Sequence, residues 1–318
     1  MLLLIVSILV LLPVPMSAEE EESFTVAAVQ FSVDSETVTD LDRFRRRAER
    51  LVAAAVRTYD SDLVVFPEYI NALLIARDVV PVIHGNDTLE EALRELSSRQ
   101  PEVADIEELF LLRSQSVMRS ALQIWRELAS RFEVAIVPGT FFVSQGSELR
   151  NRLFVINKEG AVIYQQDKVY LTEEEVELIG LEPGSLAHAD PLRIEGVDLA
   201  LTICRDTYFD AWNHELREAD IWIDLRANGQ LYSQDVRRRF DGALPERVAQ
   251  TAAAAGVSAT LTGEFLDLLW QGPAFAVDAE GRRVGESPTP VGSSLVVLEY
   301  DTESGAIEVT VDTLKGEP

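Results

Sequence analysis

Glu68, Lys168 and Cys204 are residues of three types that together can attack and cleave an acyl bond. Each of them follows a short run that predicts a buried strand. These runs are Leu63–Phe66 before Glu68, Val162–Gln166 before Lys168 and Leu199–Ile203 before Cys204. Since the active sites of α/β sheets gather at the carboxyl ends of the strands, we expect the three side chains to meet there.

Cys204 is the candidate nucleophile, because a thiol attacks a carbonyl carbon readily once a base has taken its proton. Glu68 can be that base if burial raises its pKa toward neutrality. The attack creates a tetrahedral oxyanion, and each fixed donor that stabilises it contributes about 3–4 kcal/mol. Lys168 can supply a cation and the backbone N–H of Arg205 a second donor, so these residues predict thiol chemistry on an amide carbon.

Cys204 is the single cysteine of the chain, which excludes an internal disulfide and a multi-cysteine zinc site. A lone cysteine is more often a small buried apolar residue than a nucleophile. The lysines are also few, namely Lys158, Lys168 and Lys315. The catalytic interpretation of Cys204 therefore depends on Glu68 and Lys168 occurring at corresponding strand ends.

Strands and helices alternate along the chain from Phe24 onward, which is the pattern that must position these residues. Strands are predicted at FTVAAVQFSV, LVVFPEY, VAIVPGTFFV, VDLALTICRDTYF, IWIDLRANG and VSATLTGEF, with hairpins at LRNRLFVINKEGAVIYQQDK and PAFAVDAEGRRVGES. Helices are predicted over residues 36–60, most of 71–130 and 245–255. The pattern indicates a layered α/β fold with mixed sheets and internal pseudo-symmetry. No Gly/Pro/Ser linker divides it, so residues 23–318 are predicted to form one domain.

The segment from residue 71 to residue 130 is long for a connection between two core strands. Asp87 or Thr88 is expected to cap a helix that begins near Leu89. Long connections of this kind often form a lid or rim over a site.

The charge balance excludes some partners. Asp and Glu number 54 against 28 Lys and Arg, which gives a net charge of −26. Such a chain repels nucleic acid and anionic membrane surfaces, so a nucleic-acid partner is not expected. The same charge disfavours anionic substrates, although an arginine in the pocket such as Arg205 could reverse that preference.

Residues 1–22 are predicted to be a signal peptide followed by an acidic leader. An apolar run from Leu2 to Leu12 precedes Pro13, and the small residues Ser17 and Ala18 indicate cleavage near Ala18–Glu19. The run is short for a membrane span. We therefore expect export to the periplasm or the extracellular space, with an uncleaved membrane anchor as the alternative.

Three motifs carry a resemblance to a known family. VVFPEYI, DKVYLTEEEVE and LALTICRDTYF resemble, in order, the three signature segments of the nitrilase (carbon–nitrogen hydrolase) superfamily, and the likeness runs from Phe24 to about Leu298. The resemblance implies an α-β-β-α sandwich that usually forms a homodimer. It also implies a triad of Glu68, Lys168 and Cys204 that uses no metal or organic cofactor.

The resemblance further implies a second glutamate shortly after the lysine, which orients the triad and the substrate. Glu175 is the best match, and Glu173, Glu174 and Glu177 are the alternatives. The sequence departs from the family pattern at Arg205, where many members carry an aromatic residue, and at Gly272-Pro273-Ala274, which stands in place of a glycine-serine strand. The departures leave the triad intact and the substrate open.

The predicted function is hydrolysis of a small amide or carbamoyl amine through a cysteine thioester, in the amidase-like branch of this family. N-acyl transfer, nitrile hydrolysis and non-catalytic ligand binding remain alternatives. A cysteine–histidine hydrolase would need His84, His188 or His214 beside Cys204, and a serine hydrolase would need a G-x-S-x-G motif, which the chain lacks. Further residues have a structural or a supporting interpretation: Asp206 as a structural hydrogen-bonder, and Tyr69, Trp212, Asn228 and Trp270 as pocket or core residues.

Overall fold

A computed structural model describes residues 23–240 and 242–314 of the chain. The predicted signal peptide lies outside the described residues. The strands are β1 (Ser23–Val33), β2 (Leu63–Val65), β3 (Ala135–Val137), β4 (Thr140–Gln145), β5 (Glu148–Ile156), β6 (Val162–Asp167), β7 (Leu192–Ile194), β8 (Val197–Ile203), β9 (Ile221–Ala227), β10 (Ala255–Phe265), β11 (Leu268–Trp270), β12 (Phe275–Asp278), β13 (Arg283–Glu286), β14 (Ser294–Asp301) and β15 (Ile307–Asp312).

The helices lie between and after these strands. The α-helices are α1 (Ser35–Thr39), α2 (Leu41–Tyr59), α3 (Val80–Ile83), α4 (Leu89–Arg99), α5 (Ile106–Phe132), α6 (Glu173–Glu177), α7 (Ala211–Glu215), α8 (Gln234–Phe240) and α9 (Ala243–Ala249). Three further segments are 3₁₀ helices: Ala72–Val79, Leu186–His188 and Cys204–Tyr208. None of the helices in the described part of the chain has the length and apolar character needed to cross a membrane.

The strands form two halves with matching connectivity. In the first half β1 pairs with β2 in parallel and with β14 antiparallel, and in the second β10 pairs with β9 in parallel and with β12 antiparallel. The halves join where the ends of β1 and β10 run parallel, with Gln30 opposite Thr260. The hairpins β5–β6 and β12–β13 are both present. The predicted mixed sheets and pseudo-symmetry are thereby confirmed.

Three apolar clusters define the layers. The middle cluster takes side chains from both halves, such as Val26 and Leu63 from one and Leu201 and Val257 from the other, so the two sheets pack face to face. Helices α2 and α5 cover the outer face of the first sheet, and α7 and α9 cover that of the second. The fold is the predicted α-β-β-α sandwich.

Local chemistry moved several predicted boundaries. The helix expected over residues 36–60 is divided at Asp40, whose carboxylate caps α2 by accepting from the N–H of Asp42 at 2.9 Å. The strand VAIVPGTFFV is divided into β3 and β4 by Pro138 and Gly139. The helix expected over 245–255 ends at Ala249. Thr88 is the residue that caps α4, through the N–H of Glu91 at 3.2 Å.

The long segment that follows Glu68 is mostly helical, as predicted. The C-terminal half of α5 packs on the first sheet with Trp125 fully buried, and Trp125 Nε1 donates to Asn71 Oδ1 at 2.7 Å. Helices α3 and α4 enclose an apolar cavity of about 80 Å³ with Phe265 and Leu268. Because Trp125 is fully buried against the first sheet, the C-terminal half of α5 is part of the core and not a lid.

Candidate active site

Glu68 is held in a tight turn directly after β2. The N–H of Phe66 continues the sheet pairing by donating to Val137 O at 2.8 Å, and Tyr69, at a left-handed φ of 69°, donates its N–H to Thr140 Oγ1 at 3.0 Å. Gly139 makes this approach feasible, because a Cβ at that position would lie 2.1 Å from the Pro67 carbonyl oxygen. The Glu68 side chain is completely buried.

Lys168 follows β6 and reaches the same point from the neighbouring hairpin. Its backbone N–H donates to Asn151 O and its carbonyl accepts from Gly184 N–H, both at 2.8 Å. Its side chain is fully buried and Nζ lies 2.8 Å from Glu68 Oε1. One expectation was wrong: β6 is a half-exposed hairpin strand rather than a buried one, because only one of its faces packs on the protein.

Glu175 is the glutamate of its acidic stretch that joins the cluster. The sequence T-x-x-E forms a capping box, in which Thr172 Oγ1 accepts from the Glu175 N–H and Glu175 Oε2 accepts from the Thr172 N–H. This box turns Glu175 inward, and its Oε1 accepts from Lys168 Nζ at 2.9 Å and from the Tyr69 hydroxyl at 2.6 Å. Glu173, Glu174 and Glu177 are exposed on the same short helix.

Cys204 begins the 3₁₀ turn after β8 and has a left-handed φ of 50°. Strained backbone of this kind in a residue other than glycine concentrates at active sites. Cys204 is 6% exposed, and the nearby backbone N–H of Ala227 at the end of β9 favours the ionised thiol. The thiol contacts the Glu68 carboxyl, although no hydrogen bond of full geometry joins them and Glu68 Oε2 has no partner among the described residues.

Burial and the charges of the cluster raise the pKa values of Glu68 and Cys204 and lower the pKa of Glu175. Burial is the largest effect on Glu68 and, together with the charge of Glu175, raises the pKa of Glu68 to about 7 despite the attraction of Lys168. Burial also opposes the ionisation of Glu175, but the Lys168 ammonium and the Tyr69 hydroxyl lower the pKa of Glu175. Burial, followed by the Glu68 charge, raises the pKa of the Cys204 thiol. Glu68 is therefore the carboxyl group of the cluster whose pKa lies near neutrality.

The pH dependence of Cys204 alkylation tests this arrangement. If Glu68 takes the thiol proton, the rate of alkylation by iodoacetamide should rise with pH through a midpoint of about 7, since Glu68 must be ionised to act as the base. In Glu68→Gln the midpoint should move upward by more than about one pH unit, because the base is lost and burial, the largest effect on the thiol, still raises the pKa of Cys204. A wild-type midpoint above the ordinary value of a free thiol would contradict the pairing.

Asp206 and Asp224 support the turn that carries Cys204. Asp206 accepts from the N–H groups of Val169 at 3.1 Å and Tyr170 at 2.7 Å, which fastens the lysine loop to the cysteine turn, and burial raises its pKa to about 8. This agrees with the structural role expected of Asp206. Asp224 accepts from Thr207 Oγ1 at 2.8 Å, and the nearby Cys204 N–H favours its ionised form.

The remaining predicted residues fall into separate places. The N–H of Arg205 belongs to the cysteine turn, and its side chain is exposed and makes no ion pair with Asp206 within the described ranges. His84 and His214 are both exposed, and His214 lies 3.2 Å from the Glu215 carboxylate. Trp212 is a core residue under β8 and β9. Trp270 is buried in the apolar cluster that also contains the inner faces of α2 and α5.

Sequence reasoning missed Asn151 in the middle of β5. Its Nδ2 donates to Glu68 Oε1 at 2.9 Å and to Glu175 Oε1 at 3.2 Å, and its carbonyl accepts from the Lys168 N–H. Asn151 thus contacts all three charged residues, the two glutamates through its side-chain amide and Lys168 through its backbone carbonyl. The only signal was a polar residue between two arginines in a strand, which does not identify a partner.

The site is closed around these side chains, because Glu68 and Lys168 are buried and Cys204 keeps 6% of its surface. A cavity of about 1070 Å³ lies elsewhere on the protein, and none of the predicted catalytic residues lines it. Its lining includes Ser23, Asp60, Glu133, Lys158, Arg193 and Glu308. The chemistry of the buried cluster, and not cavity size, therefore identifies the candidate site.

Comparison with solved structures defines the class of fold. The chain superimposes on the amidase from Nesterenkonia sp. AN1, solved as a double mutant in complex with acrylamide, with a TM-score of 0.64, 17% identity and coverage of 92% of this chain and 94% of that one. A carbon–nitrogen hydrolase from Helicobacter pylori G27 gives a TM-score of 0.66 at 16% identity, covering 89% of this chain and 90% of that one. At these identities the likeness concerns the nitrilase-type fold.

A glutamine-dependent NAD+ synthetase from Acinetobacter baumannii also contains this fold, with a TM-score of 0.66 at 18% identity over 91% of this chain and 47% of that one. No curated protein matches the chain significantly. The family model described as carbon-nitrogen hydrolase matches residues 25–299. The chain belongs to the carbon–nitrogen hydrolase family and is an enzyme of that class. Homodimer formation and export remain predictions.

Proposed function

We propose that this enzyme hydrolyses the non-peptide carbon–nitrogen bond of a small amide or carbamoyl amine through a thioester on Cys204. The observation that carries the proposal is the buried Lys168 ammonium, which lies 2.8 Å from Glu68 and 2.9 Å from Glu175 while Glu68 contacts the only cysteine. A base, a cation and a nucleophile are thereby combined in one water-poor cluster, where fixed charges act strongly.

In the first half-reaction Glu68 takes the proton of Cys204, and the sulfur forms a bond to the amide carbon. The resulting oxyanion is stabilised by Lys168 and by the N–H of Arg205. As the intermediate collapses, the carbon–nitrogen bond breaks and the leaving nitrogen receives the proton that Glu68 holds. Ammonia or an amine departs and a thioester remains on Cys204.

In the second half-reaction a water molecule gives a proton to Glu68 and its oxygen attacks the thioester carbon. The same donors stabilise the second oxyanion. The carbon–sulfur bond then breaks, the sulfur takes back the proton from Glu68, and the acid product leaves. Glu175 orients Lys168 in both steps, because its carboxylate accepts from Nζ and is itself fixed by Tyr69 and the capping box.

An amide substrate is supported over a nitrile by the neighbouring amidase structure, which was solved in complex with acrylamide. N-acyl transfer shares the thioester and differs only in its acceptor, since an amine would replace water in the second half-reaction.

A trapping experiment tests the thioester. The wild-type chain is incubated with a panel of small amides and carbamoyl amines, with and without hydroxylamine, and quenched in acid. We expect ammonia release, conversion of part of the acid product to a hydroxamate, and an acyl mass on the peptide that contains Cys204. Ammonia release with no hydroxamate and no adduct would mean that water attacks the substrate directly.

A further inference from the structure

Arg226 and Asn228 are two buried polar side chains beside the nucleophile, and each has one polar atom without a partner. Both are 3% exposed; Arg226 is the next-to-last residue of β9, and Asn228 directly follows the strand. Within the described residues Arg226 Nη2 and Asn228 Oδ1 form no hydrogen bond. One is a donor and the other an acceptor, and burial makes both costly to leave unpaired.

Other polar atoms of both side chains form hydrogen bonds within the protein. Arg226 Nε donates to Asp224 Oδ2 and its Nη1 donates to the carbonyl of Phe240. Asn228 Nδ2 donates to the carbonyls of Gln230 at 3.1 Å and Gln271 at 2.7 Å. These contacts fix both side chains and leave one specific atom of each for another molecule.

The pair is adjacent to the reacting sulfur. Ala227 lies between them in sequence, and its backbone N–H is near enough to the Cys204 thiol to lower the pKa of that thiol; the charge of Cys204 also acts on Arg226. Ala227 is 9% exposed and Cys204 is 6% exposed, so both residues lie just below the protein surface. A substrate bound at the sulfur would extend along the end of β9.

We propose that Arg226 and Asn228 form a recognition subsite for an amide that carries a carboxylate, bound by Arg226 Nη2, and an N–H donor near it, bound by Asn228 Oδ1. This inference rests on the proposed hydrolysis at Cys204 and specifies its substrate class. The ligand group at Arg226 must be an acceptor, because a guanidinium only donates, and a carboxylate forms the stronger charge-assisted bond.

The net charge of −26 opposes this substrate only at long range. Repulsion between exposed charges decays over about 10 Å at an ionic strength of about 0.1 M, whereas a contact with a buried arginine is screened much less. Association of a carboxylated amide should therefore become faster as salt is added, which is the reverse of the behaviour expected where attraction steers binding.

Matched substrates test the subsite. We would compare kcat/KM for monoamides of C3 to C6 dicarboxylic acids with the n-alkyl amides of equal length, for example glutaramate with pentanamide. We expect the best carboxylated amide to be preferred by about 10- to 100-fold, the range of a hydrogen bond to a charged group. Glutamine, which adds an ammonium donor beside the carboxylate, should gain over glutaramate in the wild type and lose that gain in Asn228→Ala.

A double variant removes the Arg226 charge together with that of its partner Asp224, so that no unpaired buried charge remains. In the double variant Asp224→Asn/Arg226→Gln the preference for the carboxylated amide should fall by about tenfold or more. The matched control is Asp198→Asn/Arg193→Gln, which makes the same changes in an exposed ion pair of 2.9 Å and should leave the preference within about twofold.

Equal or better turnover of the alkyl amides, or a preference that survives the double variant, would overturn the subsite and leave ordered water as the partner of both free atoms. If no amide of either series is turned over, the proposed hydrolysis fails separately. Calorimetric binding of glutaramate to Cys204→Ala then decides the subsite: binding that the Asp224 and Arg226 changes abolish supports it, and no binding refutes it.

Discussion

Cys204→Ala should reduce kcat for ammonia release by about 10⁴-fold or more. The chain contains no second cysteine that could act in its place. Glu68 and Lys168 would remain, but without the sulfur no thioester can form, and the oxyanion donors alone accelerate attack by water weakly. The loss should appear in kcat, because the groups that bind the substrate are unchanged.

The variant should still fold, which makes the activity result interpretable. Alanine replaces the side chain by a smaller one, so the cost is the loss of a few contacts, about 1–2 kcal/mol. Thermal unfolding by circular dichroism should therefore show a Tm lowered by no more than a few degrees.

His214→Ala is the control for the cysteine–histidine mechanism. His214 is exposed and lies beside Glu215, so its removal should change kcat/KM by less than about twofold. Ammonia release that survives in Cys204→Ala would exclude the thiol mechanism. A large loss in His214→Ala would instead favour the rival hydrolase.

The sequence predicted the candidate site best where local chemistry determines the structure. Cys204 and Glu68 follow apolar strands, and an apolar run can be recognised in the sequence without knowledge of the fold. Glu175 was chosen among four glutamates on the family resemblance, and the local sequence explains its burial: Thr172 and Glu175 stand three residues apart and form a capping box that turns the carboxylate inward.

Contacts between distant parts of the chain were not readable. Asn151 is 83 residues from Glu68 in sequence, and nothing in β5 identifies the partners of its amide. Arg226 and Asp224 interrupt an otherwise apolar strand, and the sequence alone gives no reason for two charged residues there. The structure gives the reason, because the two form an ion pair beside the turn that carries Cys204. Lys168 was placed correctly although its strand was misjudged, since a half-exposed hairpin strand and a buried strand can deliver a side chain to the same edge.

Lys168→Met should lower kcat/KM by about 10²- to 10³-fold, because it removes one oxyanion donor. It should also destabilise the protein by about 3–5 kcal/mol, since Glu68 and Glu175 would share a buried site without their cation. Lys158→Met is the matched control: the same substitution at an exposed lysine paired with Glu195 should cost less than about 1 kcal/mol.

The destabilisation by Lys168→Met should depend on pH, and the direction follows from the carboxyl groups. Burial is the largest effect on both glutamates and Lys168 the largest effect that opposes it, so without Lys168 we expect both folded-state pKa values to lie above the unfolded value of 4.5. The folded state then binds more protons than the unfolded state above that pH, so its stability falls as pH rises through the folded pKa. Urea unfolding at about pH 5 and about pH 8 should therefore show a larger loss, relative to wild type, at the higher pH.

Adding Glu68→Gln to Lys168→Met should recover part of the stability at the higher pH, because it removes one of the two buried charges. It should recover no activity, since the base is lost as well. A loss of stability that is equal at both pH values would mean that Lys168 contributes through packing of its aliphatic stem and not through its charge. The same measurement thus separates a lysine that neutralises the glutamates from one that only fills space between them.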